Sequence, residues 1–182
     1  LWGYRNKASL PVQSLGGESL RAGFYRPRSH DIIPYSDCPV LLPQINRNLN
    51  GLLAALREEG FCGAREGRWS LPNELIRHIV VRQAQFGEDS LCAVIGRRPL
   101  SKKEEKSLRS AAQKIKGLSG MVYNINDSPG NFIWGGHTIP IYGAELMSER
   151  LGRYKFTFEA SSFFQVNSAQ ALSLYEYAAG LA

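Results

Sequence analysis

The chain has 182 residues, 43% of them hydrophobic and 21% charged, an ordinary balance for a folded domain that buries a core. No apolar run approaches the ~18 residues that cross a bilayer and no signal-peptide pattern opens the chain, so neither a helical membrane protein nor a secreted one is expected. The formal net charge of +6 and pI of 9.4 suit an anionic partner, and the excess is local, because residues 76–120 hold ten Lys/Arg against four Asp/Glu.

In chain order, KASLPVQ (7–13) and SLRAGFYR (19–26) read as two strands around the turn Ser14-Leu15-Gly16-Gly17. A helix follows over about 44–59, where Ile45, Leu49, Leu52, Leu53 and Leu56 fall at helical spacing and Gly60 stops it. The order then returns. IRHIVVR (76–82) and SLCAVIG (90–96) read as strands turning through Gly87-Glu88-Asp89. A helix over about 101–117 opens on a capping box, Ser101 with Glu104, and closes at Gly117. Further strands are expected at 121–126, 137–142 and 153–159, and a last helix from near Ser168. Hairpin followed by helix, twice, points to an α+β fold: antiparallel β-hairpins alternating with helices in a layered domain, with the helices on one sheet face. No GxGxxG or P-loop argues for a doubly wound sheet. The opening on Leu1 and a final helix with no strand after it suggest a piece of a longer protein, the expected division being a central domain over 1–160 and the leading segment of a second domain over 161–182.

Three groups of residues could carry chemistry. Arg5, Lys7, Arg26, Arg28 and His30 interleave with Tyr4, Phe24 and Tyr25; cations neutralise phosphates and aromatic faces stack on unpaired bases, although the same aromatics could simply be core. In the strand 76–82, alternation sets Arg77, Ile79 and Val81 against His78, Val80 and Arg82. Neither set is purely apolar, so this strand is expected to meet solvent or a ligand in part. Belonging to the same group, the helix after this strand carries Lys102, Lys103, Lys106, Arg109, Lys114 and Lys116 as a charged face, most simply a solvated one. The third group is Ser161-Ser162-Phe163-Phe164-Gln165-Val166-Asn167-Ser168, between a strand and a helix, where an amide could cap the helix or present itself to a ligand. His30, His78 and His137 have no metal-binding spacing, and Cys38, Cys62 and Cys92 form no CxxC pair. Such cysteines fit a reducing cytoplasm.

FFQVN followed by a polar residue and QALSLY resembles the FxQVN…Q…LY motif of the RNA (uracil-5-)-methyltransferases that act on rRNA and tRNA. YRNKA (4–8), GFYRPRSHDIIPYSDCPV (23–40), LIRHIVVR (75–82) and NFIWGG…IYGAELMSERLGRYKFTFEASSFFQVN (131–167) agree in order, so the resemblance covers nearly the whole chain. It implies an S-adenosyl-L-methionine-dependent enzyme of RNA modification, and it implies that Gln165 contacts that cofactor. It also implies that Cys38 matches the last of four cysteines holding a 4Fe-4S cluster in many members. The other three are absent here, Cys62 and Cys92 match no ligand position, and no cluster is expected in this chain alone. In the family a cysteine thiolate adds to carbon 6 of uracil, the enolate takes the methyl group at carbon 5, and a base removes the proton. No residue here matches the nucleophile, the base or the glycine-rich cofactor loop, so the chain is expected to be inactive alone. Its implied part is RNA handling by Arg5, Lys7, Arg26, Arg28, His30, Arg77, His78, Arg82 and Phe163, with rRNA, of the large subunit, favoured over tRNA. The competing reading is a stand-alone, non-catalytic RNA-binding or assembly module; a small-molecule enzyme ranks last.

Overall fold

The computed structural model describes residues 2–14, 20–29, 31–63, 74–129 and 131–181. The first unit is β1 (Lys7–Gln13), β2 (Arg21–Tyr25), a short β3 (Ile32–Pro34) and α1 (Pro43–Glu58). Two residues of β4 (Cys62–Gly63) follow. The second is β5 (Glu74–Gln83), β6 (Ser90–Gly96), α2 (Lys102–Gln113) and β7 (Gly120–Ile125). The chain continues through β8 (His137–Gly143), β9 (Leu146–Leu151), β10 (Tyr154–Glu159) and α3 (Ser168–Ala179). The expected hairpin-helix order is present in both units. The sheet runs β3-β2-β1-β5-β6-β7-β8, with β4 parallel to β5 beyond the end of β1. The leading strands of the two units, β1 and β5, pair antiparallel, and α2 makes the crossover to the parallel pair β6–β7.

Each helix forms where the sequence gives it a start and an apolar stripe. Pro43 sits in the first turn of α1, where its missing N–H costs nothing, and Ile45, Leu49, Leu52, Leu53 and Leu56 are buried. Ser101 and Glu104 close the capping box on α2, and Arg98 braces the Glu104 carboxylate at 3.0 and 2.7 Å. That helix ends at Gln113, four residues short of the expected Gly117; the chain leaves it through Lys114, and Gly117 takes φ +80° in the turn that follows.

Helices α1 and α2 cover one sheet face, where Leu10, Val12, Ile79, Val81, Cys92, Val94 and Met121 meet them. The opposite face is buried as well. Val80, Leu91, Ala93, Ile95 and Val122 lie beneath Met147, Ala160, Trp134 and Phe158, contributed by the β9–β10 hairpin and flanking loops. This second layer explains why every residue of β6 is buried. It also overturns the expectation that β5 meets solvent. Arg77, His78 and Arg82 are 6%, 8% and 2% exposed. A register shift between Ile76 and His78 brings Ile76 into the helix-side core with Ile79 and Val81. Among the described residues no helix is long and apolar enough to cross a membrane.

Candidate functional site

Strands β1 and β2 pair only at Val12–Ala22 and Gln13–Arg21. The next outward position on β1 is Pro11, which has no N–H to offer a neighbour. Beyond it β2 parts from β1 and pairs instead with β3, whose Ile33 carbonyl lies 1.9 Å from where a Cβ on Gly23 would stand. Only glycine allows that approach. The result is a wedge between Leu10 and Phe24.

The FFQVN segment closes one end of this wedge, held by a buried polar network. The Asn6 backbone N–H donates to the Val166 carbonyl at 2.8 Å, and Asn6 Nδ2 donates to the Gln165 carbonyl at 2.9 Å and to Ser168 Oγ at 2.8 Å. Ser168 Oγ donates in turn to Glu149 Oε2 at 3.0 Å, and that buried carboxylate accepts the Gln85 and Phe86 N–H groups at 2.7 and 2.9 Å. Asn167 accepts from the Gln170 N–H and caps α3, which settles the role of that amide. From the sheet side, Arg82 donates to the carbonyls of Ala160 (2.9 Å) and Ser162. Its guanidinium lies 5.3 Å from the Phe158 ring centroid, and Phe158 stacks on Phe164 at 4.6 Å. Burial pulls Arg82 down to about 10, still a cation at neutral pH.

The wedge and the docked segment enclose a cavity of about 490 Å³, lined by Arg5, Lys7, Ser9, Phe24, Cys38 and Phe163 among others. Phe163 is 84% exposed at its mouth. Cys38 is placed by Asn46, whose side chain accepts the Cys38 N–H at 3.2 Å, donates to the Cys38 carbonyl at 3.1 Å and also takes the Tyr35 hydroxyl. Desolvation first, then the charges of Arg82 and Arg5, lower Lys7 to about 8. The Ser9 hydroxyl is buried without a partner among the described residues. A cavity with aromatic walls and cations at its rim can take a planar group attached to a polyanion.

The sequence-predicted residues divide cleanly. Arg5, Lys7 and Phe163 meet at the cavity, and Arg26 and Arg28 are exposed in the β2–β3 turn, where Arg28 adopts φ +59°. His30 lies outside the described residues. Arg77, His78 and Arg82 are corrected from RNA-contacting to structural residues: Arg77 Nη1 donates to the carbonyls of Asn126 (3.0 Å) and Ser128 (2.8 Å), and Arg82 holds the FFQVN segment. A buried guanidinium committed to backbone carbonyls does not reach a phosphate. Gln165 is half-buried and is not itself among the cavity's lining residues, although Phe164 and Val166 on either side of it are. Sequence reasoning missed Ser9 and Glu149. Ser9 is an ordinary strand residue, and Glu149 becomes a hub only because β9 folds over the sheet.

A 4Fe-4S cluster requires four cysteine ligands, and the chain has three cysteines. Cys92 is buried in β6, Cys62 is on β4, and among the described residues no three His, Cys, Asp or Glu group as metal ligands. These residues do not fit a cluster.

No family model matches the chain. In sequence it is 33% identical over 178 residues to a protein of Clostridium acetobutylicum named an uncharacterized RNA methyltransferase, a match covering 96% of this chain and 37% of that protein. A like-named protein of Staphylococcus epidermidis is 29% identical over 177 residues, covering 97% and 38%. The fold is that of part of the Pyrococcus abyssi tRNA (uracil-54, C5)-methyltransferase, crystallised with S-adenosyl-L-homocysteine: the TM-score is 0.75 at 22% identity, over 99% of this chain and 41% of that one. The chain thus spans well under half the length of the relatives it matches.

Proposed function

We propose that this chain, which belongs to the RNA methyltransferase family, is the RNA-docking and cofactor-edge portion of an enzyme that methylates carbon 5 of a uridine in RNA. The observation that carries the proposal is the cavity where Arg5, Lys7, Phe24 and Phe163 converge on the FFQVN segment. In this reading residues 1–160 grip the RNA and residues 161–182 lead into a catalytic domain. S-adenosyl-L-methionine would supply an electrophilic methyl group, and Gln165, held in place through its backbone by Asn6, would offer its amide to that cofactor's edge. Phe163 offers a face on which an unstacked base can rest. Arg26 and Arg28 guide phosphates toward the cavity. Cys38 is at most one of four cluster ligands, the others lying outside this chain. A cytoplasmic setting agrees with the cysteine usage.

The motifs favour large-subunit rRNA, although the structural neighbour is a tRNA enzyme. The decisive titration sets an rRNA hairpin against a tRNA arm over a salt series. Tighter binding of the rRNA hairpin, falling steeply with salt, is the expected outcome. Arg26→Ala/Arg28→Ala should shrink the slope of log K on log salt by about 1.4, two single-strand phosphate contacts. A slope unchanged in the double variant would remove these arginines from the docking surface.

Burial pushes the Cys92 thiol up to about 12, so it is not the thiolate that attacks a pyrimidine. The chain by itself should transfer no methyl group to RNA; measurable transfer would overturn this.

A further inference from the structure

The outer edge of β1 is open where the cavity lies. The Gln83 N–H donates to the Asn6 carbonyl, and Ala8 and Leu10 are partners of Val81 and Ile79. Even-numbered residues therefore spend their main-chain groups on β5, and the N–H and C=O groups of Lys7, Ser9 and Pro11 point the other way. Arg5 Nε donates to the Lys7 carbonyl at 3.1 Å, which confirms that direction. Pro11 has no N–H to leave unpaired. Ser9 keeps both groups and has no partner in the β1–β2 register, which pairs only Val12 and Gln13. Main-chain N–H and C=O groups left out of a ladder are strong hydrogen-bonding groups, so an open pair facing a cavity can take a ligand. The Ser9 hydroxyl, buried and without a partner, belongs to the same wall.

We infer that the Ser9 edge of β1 binds one unpaired uracil of the substrate RNA by its Watson–Crick edge. The inference rests on the RNA reading above. The site presents a donor, an acceptor and a donor: the Ser9 N–H, the Ser9 carbonyl, and the Lys7 ammonium. Uracil presents the complement, an N3–H between two carbonyl oxygens. Cytosine offers donor, acceptor, acceptor; guanine offers acceptor, donor, donor; adenine offers only a donor and an acceptor. Phe24 and Phe163 supply the faces against which a base would stack, and Arg5 lies at the rim for the attached phosphate. An extended peptide would also match an open edge, but its neutral backbone leaves the two cations unanswered.

The test compares short single-stranded oligouridylate, oligocytidylate and oligo-N3-methyluridylate by fluorescence anisotropy with the 182-residue chain. Oligouridylate should bind about tenfold tighter than either competitor, in line with the discrimination a bidentate base contact provides. Ser9→Pro removes an N–H that faces outward, as Pro11 already does, and should erase that preference while leaving salt-dependent binding. Ser9→Ala keeps the main chain and should retain most of it. Equal affinity for the three oligomers in the unaltered chain would overturn the uracil site and leave the RNA reading standing. Binding of none of them at low salt would overturn both.

Discussion

Lys7 is the residue whose surroundings do most to set its behaviour. Burial and two neighbouring guanidinium groups destabilise its charged form and bring it to about 8. An RNA phosphate or base carbonyl would favour the protonated amine, so affinity should fall as pH rises from about 7 to 9. Lys7→Met should flatten that profile while lowering affinity at pH 7; a profile unchanged by the substitution would exclude Lys7 from the interface. The sign for folding is the reverse. The unfolded chain holds this proton up to the ordinary lysine value of about 10.5, so stability gains as pH climbs from about 8 toward 10.5, and the charged Lys7 costs stability below 8. Arg82, next to it, is a contrasting case: equally cationic, it spends its donors on Ala160 and Ser162 and serves the fold. Both look alike as letters in a basic sequence. What separates them is that the Lys7 side chain lines a cavity and Arg82 sits beneath two phenylalanines.

At the scale of elements, the segment between β10 and α3 has little regular structure of its own and depends on side chains from elsewhere. Ser168 is its central peg, linking Asn6 on one side to Glu149 on the other. Ser168→Ala should cost about 1–3 kcal/mol, because a buried donor and a buried carboxylate each lose a partner. Urea unfolding would measure it, and a loss well under 1 kcal/mol would mean that water replaces the hydroxyl. The β1–β2 wedge is likewise set by one residue, Pro11, which ends the ladder that would otherwise continue to Phe24. The strands of both hairpins and the helices α1 and α2 were legible from alternation, helical spacing and the Ser101–Glu104 box, since those signals are local; the expected turn at Leu15, Gly16 and Gly17 lies outside the described residues. β3, β4 and β9 were not: two are only two or three residues long, and β9, with Glu149 and Arg150 in it, has no clean alternation.

For the whole molecule, the sheet is a wall between two cores, and its helix side is the larger. Leu52, fully buried on the core-facing side of α1, should cost about 2–5 kcal/mol on truncation to Ala, visible as a lower urea midpoint with an unchanged slope. A cost below 1 kcal/mol would indicate that α1 can settle into the space. Composition and periodicity were enough to determine the α+β class, the doubled hairpin-helix order and a net positive charge, and motif order carried the resemblance to the RNA methyltransferases, because each lies in neighbouring residues or in letters along the sequence. Only the tertiary structure decided which cations are available and which are structural. Sequence alternation assigns a residue to a face, and whether that face is covered depends on a hairpin some 70 residues later, β9–β10, folding over β5. The same long-range packing brings Arg5, Lys7 and Ser9 against Phe163, from opposite ends of the chain, to make one cavity.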